Sequence, residues 1–175
     1  MSQFLYHQFA TRLGDMIAVV DPVLPHSPLI RLEFEDSFRG DLSAAAPAAN
    51  HPMLRETQQQ LNDYFATTRH AFSLPIAPTG TPFQQSVWQA LLAIPYGNTR
   101  SYTEQATLVG NRKAVRAVGA ANGRNPIAIV IPCHRVVASS GQLTGYAGGI
   151  LRKQQLLALE CKPEQYHDKP GYQQP

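Results

Sequence analysis

The chain has 175 residues, 43% of them hydrophobic and 15% charged, with 14 prolines and 12 glycines. That suits one or two packed domains and excludes a disordered, highly charged chain. The longest uncharged apolar run, Ile127–Cys133, is too short to span a membrane. No basic region followed by an apolar stretch opens the sequence, and two cysteines make neither a disulfide framework nor a CxxC metal site. A cytoplasmic, monomeric protein without membrane contact is expected. The net charge of +3 is unevenly placed: residues 1–82 carry five arginines against eight acids, whereas residues 83–161 carry eight basic groups against Glu104 and Glu160 alone. A basic half of this kind suits a polyanionic partner.

In chain order, Phe4, Tyr6 and Phe9 face Met16–Val20 across Leu13-Gly14-Asp15, a hairpin pattern. Ile30, Leu32 and Phe34 alternate with Arg31, Glu33 and Glu35, the period of a strand with one buried face. Gly40–Pro52, rich in alanine, reads as a surface loop, and Leu54, Gln58, Leu61 and Phe65 recur at helical spacing. The proline- and glycine-rich Leu74–Pro82 stretch cannot sustain a helix and reads as a linker. Thr81-Pro82 then opens a helix presenting Phe83, Val87, Leu91 and Ile94, and Trp88 belongs to the core. Ser101-Tyr102-Thr103-Glu104 is a capping box for a helix that stops at Gly110, and Asn111 is expected to cap another running to about Gly123. Two short helices about a glycine turn suggest a helix-turn-helix. His7, His26, His51, His70 and His167 sit in unrelated contexts and read as surface residues.

The fold class expected from this order is α+β. Residues 1–75 form an N-terminal α/β domain, 76–82 a linker, 83–161 a mainly helical domain and 162–175 a tail.

Two stretches carry chemistry. The helix from Asn111 pairs small residues (Ala114, Ala117, Gly119, Ala120, Ala121) with Arg112, Lys113, Arg116 and Arg124. This is either a tightly packed helix or one slim enough for a DNA minor groove. Ile127–Ile131 reads as an extended buried segment delivering Cys133, with His134 and Arg135 beside it. A thiol reacts as the thiolate and needs a base or positive field nearby. A histidine base needs an orienting acceptor in turn, and Glu160 is the only acid between Glu104 and the tail. A cysteine hydrolase acting on a small molecule uses the same residue types and stays open on this evidence.

Ile131-Pro132-Cys133-His134-Arg135-Val136-Val137, then Gly145-Tyr146-Ala147-Gly148-Gly149 and a Lys153…Glu160 helix, resemble the O6-alkylguanine-DNA alkyltransferases, also called methylated-DNA–protein-cysteine methyltransferases. Ser101-Tyr102, Arg116-Ala117-Val118-Gly119 and Asn125-Pro126 extend the likeness from about Thr81 to Glu160. The first half resembles the family only in layout, a ribonuclease-H-like sheet and helix.

The resemblance implies repair of double-stranded DNA containing O6-alkylguanine, bound through the minor groove. The damaged base is flipped out and its alkyl group passes irreversibly to Cys133, with O4-alkylthymine a further substrate to consider and no cofactor. In the implied roles His134 acts through water, Glu160 holds His134, and Tyr102 serves rotation of the nucleotide and the leaving group. Arg116 fills the vacated stack, and Asn125 links the recognition helix to the active-site segment. Val136, Tyr146, Ala147 and Gly148 line the pocket, while Thr103, Asn111 and Ser139 meet the DNA backbone. Ala147 stands where some members carry a serine, so no side-chain hydroxyl is offered there. Residues 1–80 contain no cysteine, so the zinc site of some relatives is not expected. A non-catalytic damage sensor of the same fold lacks the acceptor cysteine that this chain has.

Overall fold

The computed structural model describes residues 4–161; the tail from Lys162 and His167 lie outside the described residues. The chain forms two compact units, one from the chain up to Thr79 together with Pro126–Ala128, the other from Gly80–Asn125 and the chain from Ile129 onward.

In the first unit, β1 (Phe4–Phe9), β2 (Met16–Val20), β3 (Leu29–Phe34) and β4 (Ala45–Pro47) form one sheet in the order β3-β2-β1-β4. β1 pairs antiparallel with β2, from Leu5 opposite Val20 to Phe9 opposite Met16, as the hairpin pattern predicts. β3 departs from simple alternation. Val19 pairs with Arg31 but Val20 with Leu29, so Ile30 is an extra residue on its strand. The bulge leaves Ile30 half-buried, while Glu33, on the face opposite Leu32 and Phe34, is itself buried to 4% exposure. Arg31 and Arg39 both bond the Glu33 carboxylate, which is how a buried acid is tolerated there.

The alanine-rich stretch contains a short edge strand that composition does not reveal. β4 runs parallel to β1, and an edge position accommodates Pro47, which has no N–H to offer the ladder. Helix α1 (Pro52–Phe65) starts on a proline at its first turn and buries Leu54, Leu61, Tyr64 and Phe65. Pro126–Ala128 joins this unit through bonds from Leu32 N–H to the Pro126 carbonyl, 2.9 Å, and from Ala128 N–H to the Leu32 carbonyl, 2.7 Å.

In the second unit, α2 (Pro82–Leu92) opens with a complete capping box. Thr81 Oγ1 accepts from Gln84 N–H, and Gln84 Oε1 accepts from Thr81 N–H. Val87, Trp88 and Leu91 are buried, whereas Phe83 is exposed and leaves the expected stripe one residue short. β5 (Arg100–Ser101) pairs parallel with β6 (Val136–Val137) and runs straight into α3 (Tyr102–Leu108). There Ser101 and Glu104 form the expected capping box, and Gly110 ends the element at φ 84°, a conformation suited to glycine.

Helix α4 (Val115–Gly123) is capped at Ala114, three residues later than expected. The Asn111 side chain does cap, but it caps a turn: Oδ1 accepts from Lys113 N–H at 3.1 Å. The Gln105 and Asn122 amides bond each other reciprocally at 2.9 and 2.7 Å, and Trp88 Nε1 donates to the Ala121 carbonyl. These buried polar contacts join α2, α3 and α4. Helix α5 (Ile150–Glu160) completes the unit, burying Lys153, Leu156, Leu157 and Glu160.

Candidate active site

The apolar run before Cys133 is not a strand. Ile127 makes a single bridge, the next three residues turn, and Ile129 has φ 69°. At Pro132 (φ −84°, ψ 61°) the Cys133 N–H donates back to the Ile131 carbonyl at 2.9 Å, an inverse γ-turn. Cys133–Arg135 then make one turn of 3-10 helix. Proline's fixed φ suits the first of these turns, and side-chain burial holds the isoleucine in its strained one. Cys133 therefore sits on a turn, and the opposite-face rule for neighbouring strand residues does not apply to His134.

Asn125 braces this turn. Its Nδ2 donates to the Ile131 carbonyl at 2.7 Å and to Cys133 Sγ at 3.2 Å, with Cys133 only 7% exposed. His134 is fully buried and its Nε2 lies 2.8 Å from Glu160 Oε1. An ionised carboxylate only accepts, so Nε2 carries the proton and Nδ1 presents its lone pair. Nδ1 has no hydrogen-bond partner among the described residues. Arg135 grips the same carboxylate with Nε on Oε2 at 2.8 Å and Nη2 on Oε1 at 2.9 Å, and sends Nη1 to the Ile94 carbonyl at 2.6 Å.

Burial pushes the His134 imidazole below its ordinary value, outweighing the pull of Glu160. Burial pushes Glu160 the other way, but its bonds to His134 and Arg135 win and bring the carboxyl down to about 2. With His134 held neutral, the Arg135 guanidinium is the lasting counter-charge.

A second cluster faces the Gly145–Gly149 loop. Tyr102 Oη donates to the Thr144 carbonyl at 3.0 Å, and the fully buried Lys153 donates to the same carbonyl at 2.8 Å, with Tyr102 Oη 3.5 Å from its Nζ. Burial lowers the Lys153 ammonium to about 8 against the attraction of Cys133. It raises the Tyr102 phenol, so the hydroxyl keeps its proton at neutral pH. The Tyr146 hydroxyl is buried without a partner among the described residues, and its phenol is pushed well above the ordinary value by burial, then by Cys133. Arg152 ties α5 to the loop through the Gly148 carbonyl at 3.1 Å.

The fold thus brings Asn125 onto Cys133 and Glu160 onto His134 and Arg135, two groups joined by the Cys133–His134 peptide bond, and brings Tyr102 to the loop that carries Tyr146, Ala147 and Gly148. Val136 is buried at the end of the 3-10 turn. Arg116, Asn111 and Ser139 are exposed and Thr103 half-buried, and none bonds to the cluster. Cys161 is half-buried against the Gly97 carbonyl at 3.7 Å. Lys153 is the site residue that sequence reasoning passes over. Its signal was a lone lysine at the spacing of Leu156 and Leu157 along α5, within the buried face. Among the described residues no group of three or more His, Cys, Asp or Glu is placed to hold a metal, and no helix is long and apolar enough to cross a membrane.

The second unit of this α+β protein sets a buried cysteine, bonded by Asn125, next in sequence to a His–Glu–Arg cluster. Comparison with known proteins narrows this. Residues 82–162 match the family model described as 6-O-methylguanine DNA methyltransferase, DNA binding domain. A methylated-DNA–protein-cysteine methyltransferase of Methanosarcina acetivorans is 46% identical over 144 residues, covering 81% of this chain and 92% of the relative. A constitutive one of Bacillus subtilis is 60% identical over 97 residues, 55% of this chain and 59% of the relative. Crystal structures of Mycobacterium tuberculosis O6-methylguanine methyltransferase, alone and as OGT in complex with DNA, superpose with TM-scores of 0.81 and 0.80 at 43% identity. They cover 90% and 89% of this chain and 92% of each neighbour. The chain belongs to the methylated-DNA–protein-cysteine methyltransferase family, enzymes of DNA repair by alkyl transfer.

Proposed function

We propose that Cys133 is the alkyl acceptor and that residues 83–161 form the DNA-binding and acceptor domain. The observation that carries this reading is the brace on sulfur: Asn125 Nδ2 lies 3.2 Å from Sγ, and the neighbouring His134 is fixed on Glu160 at 2.8 Å with Nδ1 left to accept. The substrate is O6-alkylguanine in double-stranded DNA, with O4-alkylthymine a second candidate.

The chain approaches from the minor groove as a monomer, and α3 and α4 act as a helix-turn-helix. The damaged base leaves the stack for the pocket of Val136, Tyr146, Ala147 and Gly148, and Arg116 takes its place. Thr103, Asn111 and Ser139 meet the backbone, which positions without reading sequence. Asn125 couples α4 to the turn at Cys133.

In the transfer step the thiol proton passes toward His134 Nδ1, through water, and the S–C bond forms as the alkyl C–O6 bond breaks. The electron pair of that bond stays on guanine, which takes a proton from Tyr102. Proton return from His134 to the phenol leaves neutral guanine and a thioether. The Tyr102 phenol, raised by burial, carries its proton at neutral pH and so has one to give to the leaving guanine. A thioether is not hydrolysed as a thioester is, so each molecule acts once. The cytoplasm, where thiols are kept reduced, suits this chemistry.

Intact-mass analysis after incubation with a duplex carrying O6-methylguanine tests the reading. One methyl group per chain, mapped to Cys133 and not Cys161, is expected; sustained turnover or an adduct elsewhere overturns it. The Ala147 backbone N–H replaces any hydroxyl contact at that position.

A further inference from the structure

A second feature of the same unit extends the backbone contact proposed for Ser139. An open cleft of about 470 Å³ is lined by Arg100, Ser101, Glu104, Ser139 and Ser140 among others. Arg100 and Ser101 of β5 and Val137 of β6 belong to the lining, with Ser101 paired opposite Val137. Arg100 is half-buried, and its Nε is shielded from solvent with no partner among the described residues. Leaving a buried guanidinium donor unpaired is unfavourable, and charge makes it more so.

The rim repeats the pattern. Bonds within the 138–142 turn use the N–H groups of Ala138, Gly141 and Gln142, and leave those of Ser139 and Ser140 unengaged. The acid in the lining, Glu104, is turned to the start of α3, where Oε2 accepts the Ser101 N–H at 2.6 Å. The lining thus combines an arginine with no hydrogen-bond partner among the described residues with the unengaged Ser139 and Ser140 N–H groups and serine hydroxyls, a donor set suited to a tetrahedral oxyanion.

We infer that this cleft binds one phosphodiester of the DNA strand carrying the damaged nucleotide, with Arg100 as its charged anchor. The site rests on the DNA-repair reading above. Its position follows from chain connectivity: Arg100 is two residues before Tyr102, and Ser139 six after Cys133, so the cleft flanks the segments that handle the flipped base. Arg100 is then a positioning residue. It fixes where the backbone enters, and acts on the reaction only through the register of the strand.

The test pairs Arg100→Gln with single neutral methylphosphonate linkages placed in turn on either side of O6-methylguanine. In the wild type one linkage weakens binding about tenfold, the loss of one charge-assisted contact. In Arg100→Gln that linkage causes no further loss, and the slope of log affinity against log salt is smaller by about 0.9, one phosphate. Arg100→Lys keeps the slope. Arg100→Gln is expected to melt no lower than the wild type, since the side chain has no partner to lose.

A wild-type slope and affinity in Arg100→Gln, or additive losses from variant and linkage, overturn the assignment. So does stabilisation of the wild type by millimolar inorganic phosphate that Arg100→Gln lacks while its DNA salt slope is unchanged, which makes the cleft a free-anion site. Methyl transfer to Cys133 of the wild type is scored separately by mass, so failure of the cleft and failure of the repair reading give different results.

Discussion

Glu160 is the point at which stability and chemistry depend on one carboxylate, and Glu160→Gln separates them. The glutamine oxygen can replace Oε1, which accepts from His134 at 2.8 Å and from Arg135 Nη2 at 2.9 Å. Its NH2 then replaces Oε2 and faces Arg135 Nε–H, which lies 2.8 Å from that oxygen in the wild type. Two donors meet, and a guanidinium only 7% exposed loses its counter-charge. Breaking a buried pair from one side costs about 3–5 kcal/mol.

The carboxyl's displacement from 4.5 to about 2 gives an independent figure of about 3 kcal/mol, at 1.36 kcal/mol per pKa unit. For a chain of this length that lowers Tm by about 10 °C. The sign follows from a carboxyl lowered on folding. Its contribution is complete above pH 4.5 and is lost as pH falls toward about 2. The buried neutral imidazole of His134, lowered on folding, adds a separate loss that begins below 6.5.

Urea midpoints taken from pH 7 to pH 3 should therefore show wild type and Glu160→Gln far apart at neutrality and converging below pH 4.5, with the loss near pH 6 kept in both. At 25 °C the variant stays folded and still holds Nε2–H, so methyl transfer slows by about tenfold to a hundredfold through the lost negative charge behind the imidazole. Equal midpoints at neutral pH, or a gap that does not close in acid, refutes the charge argument. An unchanged rate and pH–rate profile removes Glu160 from the mechanism.

Asn125→Ala leaves the Ile131 carbonyl with only the Cys133 N–H and removes the donor on sulfur. A loss of about 1–3 kcal/mol in urea unfolding is expected, together with slower alkylation of Cys133 by a free O6-benzylguanine probe, which reports sulfur without DNA. For Gln105 and Asn122, each single alanine variant strands the partner amide and should cost about 1–3 kcal/mol. The double variant should cost clearly less than the sum, since both stranded groups disappear together; additivity in thermal unfolding refutes the pairing. Ile129→Gly relieves a backbone at φ 69°, worth about 1–3 kcal/mol, but removes a side chain with no exposure, worth about 3–5 kcal/mol with its cavity. Net destabilisation of about 2 kcal/mol is expected by calorimetry, and a stabilised variant shows that the turn is not held by burial.

Much of this arrangement was readable from sequence, and the exceptions share a cause. The hairpin, the helix start at Pro82, the Ser101–Glu104 capping box and the stop at Gly110 are local, fixed by residues within a few positions. The His134–Glu160 contact spans 26 residues, yet Glu160 is the only acid between Glu104 and the tail. The hold of Arg135 on the same carboxylate was not readable, because the sequence presents Arg135 as a positive charge beside Cys133 and does not show a partner 25 residues further on. Lys153 was hidden in the same way. A single lysine on an amphipathic helix is usually solvated, and here the Thr144 carbonyl, with weaker contacts to Tyr102 Oη and the Gly145 carbonyl, makes its burial tolerable. Asn111 was misplaced because an asparagine that caps a helix and one that closes an Asx turn are the same residue in the same context.

The largest error, reading Ile127–Ile131 as extended, shows how burial overrides propensity. β-branched residues favour strands and disfavour positive φ, so five apolar residues in a row argue for β structure. At Ile129 that preference is overruled. A left-handed isoleucine costs about 1–3 kcal/mol, whereas burying Ile129 and Ile131 completely returns about 1.5–3 kcal/mol for each. The sum favours the turn, and the turn has a consequence that a strand lacks. It aims the Ile131 carbonyl so that the Cys133 N–H and Asn125 Nδ2 both reach it, at 2.9 and 2.7 Å, which fixes Asn125 close enough to donate to sulfur. A straight strand would deliver Cys133 as one more small buried hydrophobe. The apolar run therefore serves the site by holding a costly bend, and its hydrophobicity is the means by which that bend is kept.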